Sequence, residues 1–243
     1  LGARVRIGKV MMQFGHPSPV YDRALRSHER HNKIHNYPLH ILRYPMLDGI
    51  WAKAAYIQYV LLREMSKPEP DRLQWLFWVD SDTIIMNPLM PIEALLPPDD
   101  PEWDDVNLLV AHDWNGLNAG VFPVRVCDWS VELFSAVLAL RFYKPDVDLP
   151  YAEQSAIDYL IQDERLSPNV IKTPQRWFNA YQPKFGSDNV EFWQARKGDM
   201  LVHFPGNDNR DERMRQWLDM AERHKWDIEL QNTLYPEEAA DFW

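Results

Sequence analysis

The sequence is short of several things, and each shortage excludes something. It has one cysteine, Cys127, so no disulfide can close within the chain. Its neighbours Val126 and Trp129 predict a buried thiol rather than a reactive one. No stretch of about 18 apolar residues occurs, so no membrane-spanning helix is expected within it. Residues 1–12 lack the charged, apolar and small-residue order of a signal peptide. Basic residues are outnumbered, 26 Lys and Arg against 36 Asp and Glu, for a net charge of -10. A nucleic acid backbone is captured by a basic face, so no nucleic acid partner is expected. Internal repeats and low-complexity tracts are missing as well.

What remains is a foldable chain. Its 243 residues, 46% hydrophobic and 26% charged, suit one α/β domain spanning 1–243. Val5, Ile7 and Val10 to Met12 predict a first buried strand that closes in a turn at Phe14-Gly15. Residues 21–35 are predicted helical, 37–44 strand-like, and 51–65 helical with Ala54, Ile57, Val60 and Leu61 on one face. After breakers at 67–71, the four apolar residues 76–79 have the look of a central strand covered on both faces. Further strands are expected at 108–111, 119–124, 170–172 and 200–204. Helices are expected at 128–140, with Asp128 as an acidic N-cap, and at 153–161 and 210–225. Segments 97–105 and 145–150 read as surface loops.

The most informative feature is Asp80-Ser81-Asp82, directly after the buried strand. Carboxylates at i and i+2 on a strand end can share one hard divalent cation. Spacing alone is a weak signal, since about five such acid pairs arise by chance at this composition, and Asp146 and Asp148 match it equally well. Position separates them: the carboxyl ends of central strands in open α/β sheets are where ligands bind. The other reading is a turn whose aspartates cap the following backbone. A metal held by two carboxylates wants a third protein ligand. His203, which ends the apolar Met200-Leu201-Val202, is a candidate, as is His112 at another strand end; a histidine in either place can equally be a satisfied core residue.

Five motifs in fixed order resemble glycosyltransferase family 34, which includes fungal α-galactosyltransferases, α-1,6-mannosyltransferases and plant xyloglucan xylosyltransferases. They are Trp51-Ala52-Lys53, Leu76-Phe77-Trp78-Val79-Asp80-Ser81-Asp82, Leu117-Asn118-Ala119-Gly120-Val121-Phe122, Glu153-Gln154-Ser155-Ala156 and His203-Phe204-Pro205-Gly206. The resemblance spans roughly residues 5–225. It implies a GT-A, Rossmann-like domain with a mixed central sheet flanked by helices. It also implies a retaining hexosyl transfer from UDP-galactose or GDP-mannose to a glycan acceptor, with Mn2+ held by Asp80, Asp82 and His203. The family's usual setting is the Golgi lumen as a type II membrane protein, sometimes in complexes with other glycosyltransferases. That setting would require an anchor upstream of Leu1.

The same resemblance suggests the remaining site residues. Gln13, Phe14 and Gly15 would meet the nucleotide at the end of the first strand, and Ser81 lies between the two acids. Lys53 would neutralise the diphosphate, unless it is a solvated lysine on an amphipathic helix. Asn118, Ala119 and Gly120 would lie against the transferred sugar, their small side chains leaving room for it. Glu153 and Gln154 would stand beside the reacting carbon, or simply form a polar first helical turn. Gly206 belongs to the histidine motif. Plant relatives carry an acid where this chain has Ala152, and a lysine where it has Asp208. Arg210 is the nearest replacement cation for the diphosphate. Trp114, Trp177, Phe178, Tyr181 and Trp193 are aromatic residues near these motifs, and Trp114 and Trp177 are the choices for stacking on an acceptor sugar. Two other readings stay open: a glycosidase using two carboxylates without metal, and a non-catalytic subunit that keeps the fold.

Overall fold

A computed structural model describes residues 5–16, 18–184, 186, 189–206 and 208–243. In chain order its elements are β1 (Ile7–Met12), α1 (Pro19–His35), β2 (Leu39–Leu42), α2 (Trp51–Met65), β3 (Trp75–Val79), β4 (Thr83–Ile85), β5 (Leu108–Asp113), β6 (Gly116–Asn118), β7 (Val121–Arg125), α3 (Asp128–Tyr143), α4 (Glu153–Leu160), β8 (Val170–Lys172), β9 (Leu201–His203), α5 (Arg210–Ala221) and α6 (Tyr235–Phe242). The main sheet runs β2-β1-β3-β7-β5-β6, with β8 also paired to β5. β1, β2 and β3 are mutually parallel, while β7 runs antiparallel to β3. This is the mixed α/β sheet of a GT-A fold.

β3 shows why the sheet sits at the centre. All five of its residues are buried, because a strand covered on both faces needs no polar alternation. Leu76 and Trp78 face a layer in which Ile57 and Leu61 of α2, Phe134 of α3 and Ile157 of α4 pack together. Phe77 and Val79 face the other way, towards Ile92, Trp177 and Tyr235 of α6. A third cluster joins α1, the β4–β9 ribbon and α5 through Ala24, Ile84, Val202, Met214 and Trp217.

Several boundaries differ from expectation for identifiable reasons. α1 starts at Pro19, whose fixed φ suits the first helical position, and stops at Asn36 in the left-handed region. Asp128 is the first residue of α3 and not its cap; Cys127 holds the cap position without a side-chain bond. Cys127 is half-buried rather than buried, its Sγ 3.5 Å from Ser130 Oγ. The strand expected at 119–124 begins at Val121, because residues 116–118 turn back on β5 as a hairpin. α5 ends at Ala221, four residues early, in a run of turns. Segment 97–105 is on the surface as expected, apart from a short turn at Pro101–Trp103 capped by Asp100. Among the described residues no helix is long and apolar enough to cross a membrane.

Candidate active site

The parallel-to-antiparallel switch at β3 and β7 builds the site. Because Val79 pairs with Val121, the chain leaving β3 at Asp80 meets the chain entering β7 at Gly120. Asp80 N–H donates to Gly120 O at 2.8 Å. The chain then enters β4, whose Thr83 lies opposite His203 of β9, and Phe204 N–H donates to Asp82 O at 3.0 Å. Asp80, Asp82 and His203 thus offer ligand atoms that all lie within 4.8 Å of one another, the one such metal-capable group among the described residues. His112, on β5, lies outside it, and Asp146 and Asp148 are exposed on their loop.

Each of the three is aimed by a neighbour. Trp78 Nε1–H donates to Asp80 Oδ1 at 2.7 Å, and Lys53 Nζ approaches the same oxygen at 3.3 Å, which leaves Oδ2 open. His203 Nδ1 lies 2.7 Å from Asn179 Oδ1. An amide oxygen can only accept, so Nδ1 carries a hydrogen and Nε2, the ring's other nitrogen, faces Asp82, 3.5 Å away. Burial alone would push the Asp82 carboxyl up, but His203 and Arg210 outweigh it and hold it below its ordinary range. Arg210 Nη1 is 3.2 Å from Asp82 Oδ2 and 3.2 Å from the Tyr21 hydroxyl.

Gly120 is small for a reason other than the expected one. A Cβ there would stand 2.8 Å from His203 Nδ1 and 2.9 Å from Asn118 Oδ1. The missing side chain makes room for the imidazole, not for a sugar. Asn118 likewise turns inward: its Oδ1 accepts from Gly120 N–H and Asn179 Nδ2, both at 2.9 Å, and its Nδ2 donates to the Tyr181 hydroxyl at 2.8 Å. Tyr181 donates in turn to Asp113; burial and that carboxylate raise its pKa. Asn179 and Asp113 carried no sequence signal, since neither belongs to a motif.

Lys53 is neither solvated nor free for a phosphate. It is buried, with its ammonium on Ala119 O, 3.3 Å from Asp80 and 3.5 Å from Glu153 Oε1. Glu153 is 3% exposed and belongs to this buried pair rather than to the cleft wall. Burial pushes its carboxyl above the ordinary range against the pull of Lys53. The residue before it, Ala152, has φ 48 and ψ -119, a strained conformation for a residue with a Cβ. Gln154 is half-exposed, and its Oε1 accepts from Ala119 N–H at 2.9 Å.

Two clefts flank the acids. One, of about 680 Å3, is lined by Gln13, Phe14, Gly15, Tyr21, Arg43 and Ser81. Gly15 has φ +102 with open space around its Cα, and the buried Gln13 Oε1 has no partner. Arg43 and Tyr21 were not anticipated. The other, of about 590 Å3, is lined by Trp114, Tyr181, Trp193, Gly206, Asp208 and Arg213. Trp114 is 73% exposed. Trp177, by contrast, is 1% exposed and packs on Phe242 and Trp243, and Phe178 is buried too. Neither can stack on a sugar, because the turn at Gln175–Trp177 tucks them under α6.

The model of the galactosyl transferase GMA12/MNN10 family matches residues 98–214. The chain is similar to this family over that stretch, just under half of its length. It is 28% identical over 209 residues to an uncharacterized alpha-1,2-galactosyltransferase of Schizosaccharomyces pombe, covering 72% of this chain and 58% of that one. It is 30% identical over 128 residues to galactomannan galactosyltransferase 1 of Cyamopsis tetragonoloba, covering 48% of this chain and 27% of that one. The chain therefore spans little more than half of the first relative and about a quarter of the second. Among solved structures, a glycosyltransferase involved in the glycosylation of the major capsid of PBCV-1 superposes with a TM-score of 0.63 at 20% identity, covering 86% of this chain and 99% of that one. At that identity the likeness is one of fold.

Proposed function

We propose that this chain is a member of that family and a retaining, metal-dependent hexosyltransferase that moves galactose or mannose from a nucleotide diphosphate sugar to a glycan acceptor. The observation carrying the proposal is the Asp80–Asp82–His203 cluster at the lip of the Gln13–Gly15 cleft. Two carboxylates and one imidazole, with the imidazole tautomer fixed by Asn179, suit a divalent cation such as Mn2+. When bound, that cation would stabilise the negative charge gathering on the departing nucleotide diphosphate.

The chain's own groups do the rest. Gln13, Phe14, Gly15 and Ser81 form the wall for the nucleotide, with UDP and GDP as the two candidate nucleotides. Arg210 supplies a fixed positive charge at the edge of the cluster. Gln154 holds the Ala119 backbone, so the Asn118–Gly120 segment and the acids keep their spacing. The exposed Trp114 and the half-buried Trp193 line a cleft where the apolar side of an acceptor sugar can stack. We assign the working location to the Golgi lumen, with a type II anchor and glycosyltransferase partners, on the family resemblance.

Isothermal titration of UDP and GDP, each with and without MnCl2, against wild type and Asp82→Ala tests the reading. Manganese-dependent binding of one nucleotide, lost in the variant, supports it and names the base. A folded protein that binds neither nucleotide would overturn it in favour of a non-catalytic subunit.

A further inference from the structure

Behind the acids lies a polar network that no part of the proposed chemistry uses. Lys9, in the middle of β1, is fully buried, as are His28 and His31 of α1 and Thr83 of β4. Among the described residues the Lys9 amine meets no carboxylate; it lies 2.7 Å from His31 Nδ1 and 3.4 Å from His28 Nδ1. Burial lowers its pKa well below that of an ordinary lysine, and lowers those of both histidines. A buried amine set among imidazoles is costly unless every hydrogen has a destination.

The destinations can be read off in sequence. His31 Nε2 faces Met90 O at 2.8 Å, so it carries the hydrogen and Nδ1 accepts from Lys9. The Thr83 hydroxyl donates to Asp80 O at 2.6 Å. It must then accept from His28 Nε2–H, 2.9 Å away, which leaves His28 Nδ1 to accept from Lys9. Donors and acceptors close in one direction: Lys9 to His28, His28 to Thr83, Thr83 to the carbonyl of Asp80. The Asp80 N–H and the Asp82 O are already fixed by Gly120 and Phe204. The Asp80 carbonyl is a further backbone handle on the turn, and this relay holds it.

We propose that Lys9, His28 and Thr83 are positioning residues that set the Asp80–Asp82 turn for cation binding through the carbonyl of Asp80. The inference rests on the reading of that turn as a cation site. Thr83→Val keeps the side-chain shape while deleting the hydroxyl; Thr83→Ser keeps the hydroxyl. Titration of the full chain with MnCl2 alone, followed by calorimetry, reads affinity directly, and thermal melting run alongside reads stability.

Thr83→Val should weaken manganese binding by about tenfold or more, the usual consequence of losing an outer partner of a metal site. Thr83→Ser should stay within about threefold of wild type, and Lys9→Met should shift affinity in the same direction as Thr83→Val. A role confined to packing would lower the melting temperature and leave the affinity of the folded protein unmoved. Thr83→Val binding manganese like wild type, or the valine and serine variants weakening it equally, would overturn the proposal. If wild type binds manganese and Lys9→Met does so unchanged, the relay stops at Thr83 and the part assigned to Lys9 is refuted. If wild type itself binds none, the cation-site reading falls first and this inference with it.

Discussion

Gly120→Ala is the sharpest single test of how the site is built. Gly120 is outside the set of residues with positive φ, so alanine meets no backbone objection. The objection is space: the new Cβ would lie 2.8 Å from His203 Nδ1, where ordinary carbon contacts begin near ~3.5 Å. His203 Cε1 would be nearer still, so the ring must retreat by more than about 0.7 Å, while metal–ligand distances tolerate only about 0.2 Å. It would also strain the 2.7 Å bond from Nδ1 to Asn179. We expect manganese affinity to fall at least ~100-fold, about 2.7 kcal/mol, as for a ligand pushed out of place. Overpacking should cost about 1–3 kcal/mol of stability, or ~2–12 °C in melting temperature for a chain of this size. Calorimetric titration with MnCl2, with melting curves on the same sample, checks both. A variant that binds manganese within about threefold of wild type would refute the argument that Gly120 exists to seat His203.

Other perturbations separate roles that the sequence alone ran together. Asn179→Ala should weaken manganese binding by about 10–100-fold, because His203 loses the acceptor that fixes its tautomer; the same titration measures it. Glu153→Gln should hold or raise the melting temperature at neutral pH, since the native carboxyl is raised by burial above its unfolded value. The sign follows: a group with a raised carboxyl pKa weakens the fold above that pKa and ceases to do so below its unfolded value, so the glutamine variant's advantage should vanish as pH falls. A melting difference that grows towards acid would contradict this. Trp114→Ala should leave stability within about 0.5 kcal/mol and raise the acceptor KM with kcat little changed. Arg210→Ala should raise the donor KM, and an unchanged value in steady-state kinetics would remove it from the donor site.

Much of this architecture could be read from the residues, and the failures have causes. The run 76–79 announced a covered strand because four apolar residues in succession have no other economical use, and its carboxyl end located the acids. β4 and β6 escaped notice because each begins only a few residues after the strand before it and reads as the loop leaving that strand. That omission hid why Asp82 and His203 meet, since the β4–β9 ribbon joins them. Lys53 was misplaced because an amphipathic pattern does not say whether a lysine at its margin points out or in. Trp177 and Trp114 look alike in sequence, both aromatic and both in turns, and only the docking of α6 decides that one is core and the other surface. Asn179 had no signal at all, because an asparagine in a loop is usually a turn former.

The pairing of Thr83 with His203 also bears on when the site comes into being. The acids enter the fold with β3, whereas the imidazole arrives with β9, late in the chain. Contacts so distant in sequence form only after a large loop has been closed, so a chain that has assembled β1, β2 and β3 alone would carry the acids without their third partner. A cation that prefers the complete set binds the finished fold and not its precursors, and lends it stability in proportion to its concentration over its Kd. Recovery of cation binding during refolding should thus lag the return of helical signal, which makes the bound ion a timer for the last step of assembly.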